Sequence, residues 1–134
     1  MRVVLDTNVL LSACWKPGGL ESKLVSLAIA GVLTPCVSPA VLAEYRDVLF
    51  RPKFAAFRGL ALETLGSFER MALLVQPTVS IRISPDDDDN RFIECAVSAK
   101  AEFLVSGNLK DYPPSYGEVR IVNARGFFEL SSVQ

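Results

Sequence analysis

The sequence predicts an α/β fold with a mainly parallel central sheet flanked by helices. Three observations carry that expectation. Strand-like and helix-like segments alternate along most of the chain, the pattern of a parallel sheet with crossover helices. The first apolar run, Val3-Val4-Leu5, is continuous rather than alternating, as in a strand buried on both faces. Half of the residues are hydrophobic and 22% are charged, a balance that favours a large core over disorder. The length of 134 residues suits one domain, spanning residues 1–134, with no need for disulfide or metal staples.

The elements follow in order. Val3 to Leu5 is the first strand, ending at Asp6. Trp15 and the Pro-Gly-Gly run Pro17 to Gly19 belong to a loop. Glu21 to Ala30 has helical spacing, with Gly31 as its C-terminal cap. A short strand is expected over Thr34 to Val37. Ser38-Pro39 then starts a helix, with serine as N-cap and proline where its missing N–H costs nothing. In that helix Val41, Leu42, Tyr45, Val48 and Leu49 form one stripe. Phe50 to Phe57 reads as a turn or short helix around Pro52, and Leu60 to Leu73 as a helix with Leu62, Leu65, Phe68 and Ala72 inward. Ser80 to Ile83 is a candidate strand. Phe92 to Ala99 is a helix apolar nearly all round, hence buried. Phe103 to Ser106 and Arg120 to Val122 are strands, and Asn123 caps a last helix to Leu130.

Composition excludes several classes of function. A formal net charge of −1 argues against broad adhesion to nucleic acid or anionic lipid, so any polyanion contact must be local. No histidine is present, which removes Ser-His and Cys-His catalysis and histidine-bound zinc. Three scattered cysteines, Cys14, Cys36 and Cys95, fit reduced thiols in a cytosolic protein better than a disulfide framework. Asp6 interrupts the first apolar run too early for a secretory signal. The uncharged stretch 24–43 is broken by Gly31, Pro35 and Pro39, so a helix–strand–helix passage is expected instead of a membrane span.

Carboxylates are left as the chemical groups. Function in open α/β sheets gathers beyond the carboxyl ends of the strands. Asp6 closes the first strand there, the run Asp86 to Asn90 opens a buried helix, and Asn108 and Asp111 follow the FLVS strand. Glu44 joins from the helix after the second strand, about 40° beyond Val48 at the edge of the apolar stripe. Acids converging without a cation repel each other, and a hard divalent ion such as Mg²⁺ or Mn²⁺ resolves that repulsion. Such an ion also activates water for attack on a phosphodiester.

The stretches VVLDTNVLLSA, SPAVLAEYRDVL, PDDDDNRFIECAVSAKAEFLVSGN and LKDYP together, in order and across nearly the whole chain, resemble a PIN-domain nuclease. That resemblance implies a three-layer PIN-like domain and Mg²⁺- or Mn²⁺-dependent cleavage of RNA. Many small stand-alone members are toxins of toxin–antitoxin pairs, which implies a homodimer and a protein antitoxin. Residue by residue, it places the first metal-site acid at Asp6, with Thr7 and Asn8 behind it, and the helix glutamate at Glu44. The third and fourth family acids fall on Asn90 and Asn108, both amides, which carry no charge for a metal. Asp89, Asp86, Glu94 and Asp111 are the substitutes within reach, with Asp89 preferred. The expected metal set is therefore Asp6, Glu44, Asp89, Asn90, Asn108 and Asp111, oriented by Thr7, Asn8, Glu94 and Ser106.

Each signal also has an ordinary reading. Acids at Asp86 to Asp89 favour the positive end of a helix by roughly 0.3–1 kcal/mol each. Asp6 reads equally as a helix N-cap, Asn108 as a turn residue and Asp111 as a loop acid. Arg46, Arg51, Lys53 and Arg58 form a basic stretch opposed only by Asp47. It is either a solvated surface or a local phosphate contact. Trp15 stacks on a base or covers the core. The leading expectation is a metal-dependent endoribonuclease of the toxin type. Its main rival is a degenerate PIN-like module that binds RNA or a protein without catalysis. A phosphatase of the aspartyl-phosphate type lacks its second aspartate here, and no GxxxxGK[ST] phosphate loop occurs.

Overall fold

The computed structural model describes residues 1–133. Its elements are β1 (Arg2–Leu5), α1 (Thr7–Trp15), α2 (Leu20–Ile29), β2 (Thr34–Val37), α3 (Pro39–Leu49), a 3₁₀ segment (Pro52–Phe57), α4 (Arg58–Met71), β3 (Leu73–Leu74), α5 (Asp87–Ala99), β4 (Phe103–Val105), β5 (Ser115–Tyr116), β6 (Val119–Val122) and α6 (Ala124–Ser131). The strands form one sheet in the order β3-β2-β1-β4-β6-β5. Every neighbouring pair is parallel except the β5–β6 hairpin at one edge. This is a mixed α/β domain with helices on both faces. Val3, Val4 and Leu5 of β1 and Phe103, Leu104 and Val105 of β4 are all buried, as central parallel strands covered on both sides must be.

The chain runs outward from β1 to β2 and β3, then returns across the sheet through α5 to β4. The direction of winding therefore reverses between β1 and β4. A crevice opens at that switch point, beyond the carboxyl ends of the two strands. Asp6 follows β1 there and Ser106 follows β4, pinned by Asp6 N–H to the Val105 carbonyl at 2.9 Å and Ser106 N–H to the Val122 carbonyl at 2.9 Å.

Local chemistry explains most boundaries. Ser38 Oγ accepts the Val41 N–H at 3.1 Å, with Pro39 at the first helical position. Asn123 Oδ1 accepts the Gly126 N–H at 2.8 Å at the start of α6. Gly31, at φ +82°, closes α2 in the left-handed region. Residues 24–43 divide among α2, β2 and α3, and among the described residues no helix is long and apolar enough to cross a membrane. Cys14, Cys36 and Cys95 are free and buried.

Four expectations are corrected. The residues up to Trp15 are not loop but α1, whose Trp15 is 63% exposed at its end with its ring edge against Phe57 at 5.4 Å. Leu62 faces solvent, because the inward stripe of α4 is Ala61, Thr64, Leu65 and Phe68. Leu73 leaves the helix after Ala72 turns extended, and pairs with Cys36 as β3. Ser80 to Ile83 forms no strand, since the Ile81 and Ile83 N–H groups are donated to the side chains of Glu94 and Asn90. The hairpin strand β5 had no sequence forecast.

Candidate active site

The crevice at the switch point holds a cavity of about 220 Å³ lined by Asp6, Thr7, Asn8, Leu11, Glu44, Val48, Asp86, Asp88, Asp89, Phe92 and Asn108. Five of these are carboxylates and none is Lys or Arg. Asp6, 7% exposed, is the most buried of the five carboxylates. Its Oδ1 accepts the Thr7 N–H at 2.7 Å, and its Oδ2 accepts the Ser106 hydroxyl at 2.8 Å and the Tyr112 hydroxyl at 2.9 Å. Burial raises its pKa above the ordinary value, and those three donors hold it partly back down.

Asp89 comes from the first turn of α5. Its Oδ2 accepts from Ser84 Oγ at 3.1 Å, and its Oδ1 lies 3.2 Å from the same Tyr112 hydroxyl. Burial, then the nearby Asp6 charge, pushes its pKa up to about 6. Glu44 stands on the rim. Its neighbour Tyr45, fully buried, donates its hydroxyl to the Leu5 carbonyl at 2.6 Å and so ties α3 to the end of β1. Burial and then Asp88 push Glu44 up to about 7. Asp86 caps α5, its Oδ1 accepting the Asp88 N–H at 2.9 Å.

Around the acids stands a polar frame. Asn8 Oδ1 accepts the Gly107 N–H at 2.7 Å, and a Cβ at Gly107 would come within 3.3 Å of that oxygen, so glycine permits the close approach. Asn8 Nδ2 donates to Ser106 Oγ at 3.3 Å, which also accepts the Asn108 N–H at 3.1 Å. Thr7 Oγ1 is buried without a hydrogen-bond partner on the cavity wall.

The donor set is carboxylate, amide and hydroxyl oxygen with no thiol or imidazole, which suits a hard divalent cation. Among the described residues no group of three or more Asp, Glu or Cys side chains is placed to hold an ion directly. One or two carboxylates plus waters is the coordination Mg²⁺ commonly adopts.

A family model described as the PIN domain matches residues 2–110. The chain belongs to the PIN-domain family. It is 30% identical over 111 residues, 81% of this chain and 71% of the other, to the uncharacterized protein MJ1680 of Methanocaldococcus jannaschii. Its fold is similar to VapBC2 from Rickettsia felis, solved bound to a DNA fragment from their promoter, at a TM-score of 0.58, 19% identity, and coverage of 92% of this chain and 98% of that one. FitAcB from Neisseria gonorrhoeae gives a TM-score of 0.58 at 16% identity with the same coverage.

Within this PIN domain the structure brings together Asp6, Thr7, Asn8, Glu44, Asp89 and Asn108 around the cavity, with Asp86 and Asp88 at its mouth. Asn90 and Glu94 lie elsewhere. Asn90, 1% exposed, accepts the Ile83 and Ser84 N–H groups at 3.1 and 2.8 Å and donates Nδ2 to the Ser84 carbonyl at 3.0 Å. Glu94 accepts the Ile81 N–H at 2.8 Å and pairs with Arg91 at 2.9 Å. Both clamp the segment leading into α5. Asp111 is half-buried and does not line the cavity. Arg46 and Arg51 are exposed and paired with Glu69 at 2.6 Å and Asp47 at 3.0 Å, while Lys53 rests over the Phe54 ring at 5.1 Å. Tyr112 was not singled out from the sequence. Its signal was a phenol in the LKDYP stretch just past β4, at the functional end of the sheet.

Proposed function

We propose that this PIN-domain protein is an endoribonuclease that depends on Mg²⁺ or Mn²⁺. The observation that carries the reading is a cavity at the switch point of the sheet with five carboxylates on its wall and no Lys or Arg among them. Such a wall is a site for a cation. Asp6 and Asp89 would hold the ion, with Glu44 and Asn108 reaching it directly or through water. When bound, the ion supplies an activated water and offsets charge on the phosphate oxygens. Ser106 and the Thr7 N–H fix the direction of the Asp6 carboxylate, and Asn8 fixes Ser106 and Gly107 behind it. Glu44, pushed up to about 7, is suited to take up a proton from attacking water. The hydroxide oxygen would bond to phosphorus as the bond from phosphorus to the 3′ oxygen breaks; that oxygen leaves with the electron pair and takes a proton from solvent, so that the products carry a 5′-phosphate and a 3′-hydroxyl.

Arg46 and Arg51, whose ion pairs are exposed and readily exchanged, would contact the RNA backbone beside the crevice together with Lys53. The protein would be the toxin of a toxin–antitoxin pair, a homodimer whose cavity a protein antitoxin covers. The fold it shares with VapBC2 and FitAcB supports that part of the reading.

Cleavage of labelled single-stranded and structured RNA with Mn²⁺, Mg²⁺ or EDTA tests the proposal, comparing wild type with Asp6→Asn and Asp89→Asn. Metal-dependent cutting lost in Asp6→Asn is expected. Clean wild-type protein that neither cuts nor binds Mn²⁺ overturns it in favour of a module that binds without catalysis. The amide Asn108 on the cavity wall is the observation that favours this second reading. A gain of Mn²⁺ binding and cutting in Asn108→Asp would support it.

A further inference from the structure

We infer that Tyr112 is a positioning residue of this centre, its hydroxyl fixing the carboxylates of Asp6 and Asp89 in the relation that a divalent cation needs. The inference rests on the nuclease reading above. The two acids come from distant elements, one at the end of β1 and one in the first turn of α5. Each also has anchors of its own, Thr7 N–H and Ser106 Oγ for Asp6 and Ser84 Oγ for Asp89. Those anchors fix each carboxylate to its neighbourhood, not to the other. Among the described residues, the Tyr112 hydroxyl oxygen alone lies within hydrogen-bond distance of both, 2.9 Å from Asp6 Oδ2 and 3.2 Å from Asp89 Oδ1.

The phenol is itself held firmly. Tyr112 is 8% exposed and part of the hydrophobic core. Its N–H donates to the Leu109 carbonyl at 3.1 Å, and Pro113 and Pro114 follow, with the Pro114 carbonyl accepting the Ile121 N–H at 2.9 Å from β6. Proline fixes φ, so this tether has few alternatives. A phenol carries one proton and two lone pairs. Given to Asp6 at the shorter contact, that proton leaves the oxygen-to-oxygen contact with Asp89 without one of its own. Two carboxylates are thus set against a single phenolic proton, an excess of negative charge that a divalent cation would offset. Groups behind the ligands that orient them in this way ordinarily matter to metal affinity nearly as much as the ligands do.

Tyr112→Phe deletes the hydroxyl and keeps the ring. Mn²⁺ binding followed by calorimetry should weaken on the order of 10- to 100-fold, with the melting temperature in EDTA near that of wild type. In wild type, NMR signals of the Tyr112 ring should shift on adding Mg²⁺ more than those of Tyr45 and Tyr116. A folded Phe variant that binds Mn²⁺ as tightly as wild type, or more tightly, overturns the inference while leaving the nuclease reading standing if wild type still cuts RNA. Failure of wild type itself to bind Mn²⁺ sinks both. Should the Phe variant not fold, the wild-type NMR decides, and a Tyr112 signal unmoved by Mg²⁺ that binds elsewhere in the spectrum overturns the inference.

Discussion

Helix α5 carries two polar clusters, and they are wired in opposite ways. On one side Asn90 and Glu94 meet the segment 81–84, where the amide and carboxylate are matched by backbone groups and by Arg91. On the other side Asp89 faces a cavity with four more carboxylates, no lining cation, and a buried Thr7 hydroxyl without a partner. The first cluster is balanced structure, because the Ile81, Ile83 and Ser84 N–H groups and the Asn90 amide are paired and the Glu94 charge is matched by Arg91. The second is left with excess negative charge, which folding alone gives no reason to gather. Adjacent residues, Asp89 and Asn90, thus divide the work: the charged one serves the cavity and the neutral one serves the fold.

The comparison is most easily broken at Asp6. Asp6→Asn is expected to cut RNA cleavage by roughly 10²- to 10³-fold, the scale on which loss of one preorganised electrostatic group is felt, while circular dichroism stays native. Equal cleavage by wild type and variant would remove the cavity from the mechanism. Next comes the clamp. Asn90→Ala gives up three good hydrogen bonds and leaves the Ile83 and Ser84 N–H groups and the Ser84 carbonyl unsatisfied, a loss of about 2–4 kcal/mol readable by urea unfolding. Asn90→Asp should also destabilise, because it sets an acceptor against the Ser84 carbonyl in place of the Nδ2 donor. Restoring an acid at this position, attractive on family grounds, is therefore expected to harm the fold before it helps the site. Unchanged stability in both variants would mean the clamp is ornamental.

The pH response separates the two clusters more finely. Asp89 is raised to about 6 and Glu44 to about 7, burial being the first cause for each. A carboxyl whose folded pKa exceeds its unfolded value binds more protons when folded, so it favours the folded state at low pH and loses that advantage as pH rises through the folded value. Metal-free protein should accordingly lose stability between about pH 4 and pH 7 through these groups, and Asp89→Asn should flatten the profile. Added Mg²⁺ should reverse the slope, since it binds the ionised carboxylates and stabilises the folded form in proportion to occupancy. A metal-free melting temperature that rises from pH 5 to pH 7 by the same amount in wild type and Asp89→Asn would contradict this.

Much of this was legible in the sequence, and the exceptions share a cause. The β1 run, the Ser38-Pro39 start and the Asn123 cap are local signals, each satisfied by residues within a few positions, so the sequence exposes them. Asp6 and Glu44 could be placed at the crevice because strand ends and helix faces follow from period alone. Helix α1 was missed because it is short and mostly apolar, with no polar face to mark its period. Ser80 to Ile83 was misread because its hydrogen bonds go to side chains ten or so residues away in α5, not to a neighbouring strand. Tyr112 reaches Asp6 across most of the chain, a contact that only the assembled sheet creates. The split between Asp89 and Asn90 was equally hidden, since it depends on which side of α5 meets the 81–84 segment.

The smallest expected effects belong to the basic surface, and they sharpen the contrast from outside the cavity. Arg46 and Arg51 hold exposed ion pairs with Glu69 and Asp47, so Arg46→Ala and Arg51→Ala should each change stability by about 1 kcal/mol at most. Their weight should fall on RNA instead. Each lost phosphate contact should reduce the slope of log affinity against log salt by roughly 0.7 for single-stranded RNA, measured with the Asp6→Asn variant so that substrate stays intact. Trading Glu69 or Asp47 for phosphate costs little because both partners are already hydrated, whereas a cavity carboxylate has no such exchange open to it. A salt slope unchanged in the double Arg variant would confine RNA recognition to the crevice itself, and would leave Arg46 and Arg51 as a solvated face of α3 and the turn that follows it.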